Sequence, residues 1–163
     1  MSQQNTGQMI QVPNKLGAKV GGGLGRLGAI DPAAIAKAEA ALKSLSGNFA
    51  QWLQDEIDKL EAARQQVRAV GATAETMESL YLRAHDLKGL GATYGFPIIT
   101  RIAGSLCRLT DDKAKRTAAP MPLVDAHINA IKAAVRDDIK DDTHPVGAVL
   151  VKELEAAVSE AGA

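Results

Sequence analysis

Apolar residues return every three or four positions along most of this chain, the spacing of helices that turn one side inward. Asp31 and Pro32 suit an N-cap and a first helical position, and Ile35, Leu42 and Leu45 give the first helix a modest apolar side before Ser46-Gly47 end it. Asn48 can cap a second helix, where Phe49, Leu53, Ile57, Leu60, Val67 and Val70 recur with Trp52 alongside, until Gly71 stops it. Thr73 opens a third with Thr-x-x-Thr, a capping pattern, and Gly95 closes it. Pro97 starts the fourth, in which Ile98, Ile102, Leu106 and Leu109 share a face with Ile99 and Ala103 beside them. The short turn makes the third and fourth an antiparallel hairpin. Thr110 to Pro122 reads as a charged, proline-bounded loop. A fifth helix from Leu123 to Lys140 turns Val124, Ile128, Ile131, Val135 and Ile139 inward. After Pro145 a short amphipathic segment carries Val149, Leu150, Leu154 and Val158.

The expected architecture is all-α: an up-down antiparallel four-helix bundle of the second to fifth helices. The first and last pieces are accessories, packed on an end or splayed out. Residues 1–30 read as a flexible Gly- and Gln-rich tail, 31–142 as the bundle and 143–163 as a C-terminal amphipathic helix. Composition agrees. Hydrophobic residues are 46% but aromatics only 3%, so the core is Ala, Leu, Ile and Val, which favours close-packed helices over a sheet. Net charge is zero, without the basic excess of a nucleic-acid footprint. A single Cys107 excludes an internal disulfide. No apolar run approaches the ~20 residues of a membrane span and no secretory pattern opens the chain, so a cytoplasmic location is expected. Gly23-Leu24-Gly25-Arg26-Leu27-Gly28 matches the dinucleotide fingerprint, but Met9-Ile10-Gln11-Val12 runs into Pro13 and makes no credible strand before it.

The third helix carries the candidate chemistry. With His85 at zero and about 100° per residue, Met77 falls near ~280°, Leu80 ~220°, Ala84 ~260°, Leu87 ~200° and Gly91 ~240°. His85 lies outside that apolar arc, with Tyr81, Lys88, Gly89 and Ala92 on its own side. An exposed imidazole has a reference pKa of about 6.5, so it can act as a nucleophile at neutral pH. A phosphoryl group is its natural electrophile, and the Lys88 ammonium could hold the phosphoryl oxygens. Gly89 removes a side chain that would crowd an approaching protein. A solvated surface histidine is the competing reading.

His85-x-Leu87-Lys88-Gly89, with Gly95 beyond, resembles the signature of histidine-containing phosphotransfer (HPt) domains. The run Ala92-Thr93-Tyr94-Gly95-Phe96 is also similar to the phosphotransfer domain of chemotaxis histidine kinases. The resemblance is strongest over 77–109 and continues by helix pattern over about 48–140. It implies a four-helix bundle relaying phosphoryl groups between receiver domains of response regulators, or from a hybrid sensor kinase. It implies phosphorylation of His85 on its outer ring nitrogen with help from Lys88. Partners would dock around His85 on Tyr81, Leu90 and Ala92. No cofactor is expected in this chain, since the magnesium would belong to the receiver, and no metal, nucleic acid or membrane partner is expected either. With no nucleotide-binding glycine boxes the chain is not itself a kinase. Two other readings stay open: a detached substrate domain of a chemotaxis-type kinase, and a helical adaptor without phosphoryl chemistry. Monomer against dimer is undecided.

Relatives often place a Glu or Gln near the register of Cys107 to orient the inner ring nitrogen of the histidine; here a thiol stands there, a weak hydrogen-bond partner or simply a buried hydrophobe. Asp86 is about 100° from His85 and reads as a solvated acid. Asp111-Asp112, Asp137-Asp138 and Asp141-Asp142 lack the alternate-residue spacing of a calcium loop. His127 and His144 have no partner at metal-ligand spacing. Arg83, Arg101 and Arg108 are candidates for the rim of the docking face.

Overall fold

A computed structural model describes residues 30–163. The expected N-terminal tail and the glycine-rich 23–28 stretch therefore lie outside the described residues. Five α-helices follow one another: α1 (Pro32–Val70), α2 (Ala74–Leu90), α3 (Pro97–Thr110), α4 (Met121–Arg136) and α5 (Pro145–Glu160), with a 3-10 turn at Arg116–Ala118. Among the described residues there is no strand. The all-α helical bundle is as expected.

One helix stands where two were expected. Ser46-Gly47 do not end it, and Asn48 lies inside α1 rather than capping a new helix. An interior glycine costs about 1 kcal/mol against alanine. A break would cost more, leaving up to eight backbone groups unpaired and requiring a second nucleation. The chain divides at Lys43 and Ser44 into two units. In the described part of the first, Ile35 and Leu42 are exposed. In the second, α1 buries Leu53, Ile57, Leu60, Ala63 and Val67, until Gly71 at φ +104° turns the chain.

Thr73 caps α2 through a reciprocal pair: the Thr76 N–H donates to Thr73 Oγ1 at 3.1 Å and the Thr73 N–H to Thr76 Oγ1 at 3.0 Å. Met77, Leu80, Ala84 and Leu87 are fully buried, as the helical wheel requires. The helix stops at Leu90, five residues before the expected Gly95. Packing ends it. A Cβ on Gly91 would lie 2.7 Å from the Thr100 nitrogen, and Thr100 Oγ1 takes the Ala92 N–H at 2.9 Å. Gly95, at φ +89°, then reverses the chain into Pro97 and α3.

The next helix also differs at both ends from the expected Leu123 to Lys140. Asp138 at φ +53° leaves helical geometry, and the Ile139 N–H returns to the Ala134 carbonyl at 2.8 Å. Ile139 nonetheless stays in the core. The last helix packs along α3 and α4 rather than on an end, adding Val151, Leu154 and Val158 to the interior. Gly147 permits this, because a Cβ there would stand 2.5 Å from the Asp141 carbonyl oxygen.

A polar tie joins α3 to α4 inside the bundle. His127 is fully buried, with Nδ1 2.7 Å from the Leu123 carbonyl and Nε2 3.0 Å from Ser105 Oγ. A carbonyl only accepts, so Nδ1 carries the proton and Nε2 accepts from Ser105. Burial holds the imidazole pKa below its usual 6.5, against an opposing pull from the Leu123 carbonyl. The unfolded chain therefore binds this proton more readily than the folded one. Stability should be undiminished by this group above pH 6.5 and fall as pH drops below it, levelling off once the folded-state pKa is passed. Urea midpoints across that window should decline more in the native chain than in His127→Gln; equal slopes would exclude the effect.

Candidate functional site

Helix α2 divides its residues sharply. Its inward stripe is sealed, while His85, Lys88 and Gly89 are exposed on the other side. The three residues expected to act together thus share one solvent-facing turn. A Cβ added at Gly89 would meet nothing within 4 Å, so nothing in this bundle demands glycine there. Lys88 lies across α3: its Cγ, Cδ and Cε would each be 3.9 Å from a Cβ on Gly104, so that glycine offers a flat seat for the lysine stem.

Tyr81, one turn before His85, brings its ring centroid to 6.1 Å from the imidazole at an interplanar angle of 41°. The phenol is fixed from two directions. Its hydroxyl donates to Asp111 Oδ1 at 3.2 Å, and the Arg116 guanidinium lies 4.2 Å above its ring. Arg116 is buried because Nε donates to the Thr110 carbonyl at 2.6 Å and Nη2 to the Asp111 carbonyl at 3.3 Å. Burial, then the Asp111 hydrogen bond and charge, raise the phenol pKa and keep its proton in place.

Cys107 sits in the core beside this group. Burial pushes its thiol up to about 11, and only part of that is countered by the Lys88 charge. It is therefore a neutral thiol at physiological pH, in keeping with the buried-hydrophobe reading.

The other expected residues are less uniform. Leu90 is half-buried at the end of α2, and Ala92 is exposed in the following turn. Asp86 pairs with Arg83 at 3.4 Å, a partly exposed, long i,i+3 contact worth little. Arg101 and Arg108 are committed elsewhere than a docking rim. Arg101 reaches Asp142 at 2.6 Å and Glu155 at 3.0 Å, and Arg108 reaches Ser159 Oγ at 3.2 Å and the Ala163 carbonyl at 3.0 Å. His144 caps α5, its Nδ1 accepting from the Val146 N–H at 3.1 Å. Among the described residues no cluster of three or more His, Cys, Asp or Glu could hold a metal.

Three contributors escaped the sequence reading. Leu82 is 49% exposed three residues from His85, a large apolar side chain on the outer surface of α2. Arg116 gave no signal, because its partners are backbone carbonyls. Gly104 did give one: a glycine inside an apolar helical pattern usually marks close packing.

The family model described as Hpt domain matches residues 44–160. The chain belongs to the Hpt domain family. Neither a curated protein nor a solved structure matches it. Membership implies phosphotransfer in two-component signalling, and Hpt domains typically interact with kinases and receiver domains. The matched span begins within α1 and reaches the last residue of α5, so the Hpt domain includes the C-terminal helix. No described helix of this Hpt protein is long and apolar enough to cross a membrane.

Proposed function

We propose that this Hpt protein accepts a phosphoryl group on His85 from the aspartyl phosphate of a receiver domain and passes it to a second receiver. The observation that carries this reading is the position of His85: exposed at mid-helix, directly behind a fully buried stripe that fixes the helix in place. The lone pair of the outer ring nitrogen attacks phosphorus, a P–N bond forms, and the P–O bond to the donor aspartate breaks with its carboxylate leaving. The inner ring nitrogen keeps its proton. Delivery to the second aspartate is the same step reversed.

Lys88 attracts the equatorial phosphoryl oxygens as charge spreads onto them, its stem steadied on Gly104. Magnesium is supplied by the receiver, and this chain contributes no ligand to it. Tyr81, Leu82, Leu90 and Ala92 offer the receiver an apolar patch of modest size.

Incubation with a phosphorylated receiver tests the reading. Label must appear on this chain and be acid-labile and base-stable, as a phosphoramidate is. Label from ATP and a kinase, with none from any receiver phosphate, would instead identify a kinase substrate domain. No label from either would leave a helical adaptor.

Gly89 separates folding from docking. Replacing it with leucine fills open space and removes a glycine from the last turn of α2, so stability should rise by a fraction of the roughly 1 kcal/mol that a helix-interior glycine costs. Transfer should nonetheless slow by roughly tenfold or more, because the receiver can no longer bring phosphorus within reach of His85. A stable Gly89→Leu protein transferring at the native rate would remove Gly89 from the site.

A further inference from the structure

Side chains of a helix tilt toward its N-terminus, so an imidazole at position 85 leans over the residue one turn back, Tyr81. The two ring centroids are 6.1 Å apart and the rings are tilted by 41°, within the range of an aromatic pair. Granted that His85 is the phosphoryl acceptor, on which this rests, we propose that Tyr81 positions it. The Tyr81 ring, held from the end of α3 by Asp111 and Arg116, walls in the imidazole and keeps its outer nitrogen aimed at the incoming phosphorus.

The need for such a wall comes from what His85 lacks. The rings of His127 and His144 are fixed by hydrogen bonds, whereas among the described residues none reaches the ring of His85. On α3, Gly104 has no side chain and Cys107 is a neutral thiol, a weak donor and acceptor. A helical residue has two favoured χ1 wells and an imidazole a roughly two-fold χ2, so about four ring orientations compete. A receiver docked with its phosphorus in one place can use only those that point the outer nitrogen there. A tilted aromatic contact favours the orientations that keep it by roughly two- to tenfold.

A wall works only if it does not itself move. Tyr81 is half-buried and held at two points outside α2. Its hydroxyl donates to Oδ1 of Asp111, the first residue past α3, at 3.2 Å. The Arg116 guanidinium covers its ring at 4.2 Å and is itself buried, with Nε donating to the Thr110 carbonyl at 2.6 Å. Swinging the phenol away from His85 would break both contacts and uncover Arg116. The aim of a nucleophile on α2 is thereby referred to the end of α3.

A mere docking contact could also be aromatic, and two donors tell the roles apart. Inorganic phosphoramidate passes its phosphoryl group to an imidazole with loss of ammonia, and it approaches from any side. A docked receiver cannot. Tyr81→Leu should therefore slow transfer at saturating phosphorylated receiver by roughly three- to tenfold. Its labelling by phosphoramidate should stay within about twofold of native, because the nucleophile is unchanged. Tyr81→Phe keeps the ring beneath Arg116 and loses only the Asp111 tie, so it should stay within about twofold of native with both donors. In NMR spectra the native His85 ring protons should show cross-peaks to the Tyr81 ring and β-proton couplings of one rotamer, averaged in Tyr81→Leu. A Tyr81→Leu protein unchanged at saturation, with only its half-saturating receiver concentration raised, makes Tyr81 a docking contact and overturns the proposal. So does equal slowing with both donors, or a Tyr81→Phe protein as slow as Tyr81→Leu. Those outcomes leave His85 as the acceptor. A native chain that takes label on His85 from neither donor removes the acceptor itself, and the positioning role with it.

Discussion

Replacing His85 with alanine will leave the bundle folded and abolish transferable phosphoryl label. The side chain is exposed and makes no contribution to the sealed stripe on the other side of α2, so the melting temperature should stay within the range of an ordinary surface change, about 0.5 kcal/mol. Alanine is also the best helix former, so the backbone has no reason to shift. Chemistry is another matter, because no other exposed imidazole is available as a substitute nucleophile on α2, and His127 is locked inside by two hydrogen bonds. His144 is exposed but serves as the α5 cap. Label from a phosphorylated receiver should therefore fall below detection. Retained acid-labile label on His85→Ala would place the acceptor elsewhere. Lys88→Ala should be milder, slowing transfer by about one to two orders of magnitude, since it removes one positive charge and leaves the nucleophile.

How far these features could be read in advance depended on whether their cause was local. The stripe of Met77, Leu80, Ala84 and Leu87 is a property of one helix, and its spacing alone puts His85 outside. The reciprocal cap of Thr73 and Thr76 lies within four residues and was equally legible. Ser46-Gly47 misled because the same two residues that can end a helix can also sit inside one, and the outcome turns on the long helical sequence on either side. The early end of α2 was hidden for the opposite reason. It is imposed by Thr100, nine residues beyond Gly91 and on another helix. The clamp on Tyr81 needs Asp111 and Arg116 to return from beyond α3, and no periodicity encodes that return. Local pattern placed His85 on the exposed side of α2; tertiary contacts supplied what holds its neighbours.

The same division predicts where a single substitution hurts most. Leu87→Ala will destabilise the protein by about 2–5 kcal/mol, since Leu87 is fully buried and its truncation loses both transfer energy and packing. At about 2–4 °C per kcal/mol for a chain of this size, the melting midpoint should drop by roughly 10 °C. Leu87→Met, which preserves volume, should cost less than about 1.5 kcal/mol. The functional consequence is selective. Leu87 lies on the buried side of α2, away from the proposed docking face, so the folded fraction of Leu87→Ala should still take phosphoryl at a near-native rate at low temperature and lose it as α2 loosens on warming. A drop of under 1 kcal/mol would mean that α2 is not anchored by this stripe, and with it would go the reason His85 is held toward water.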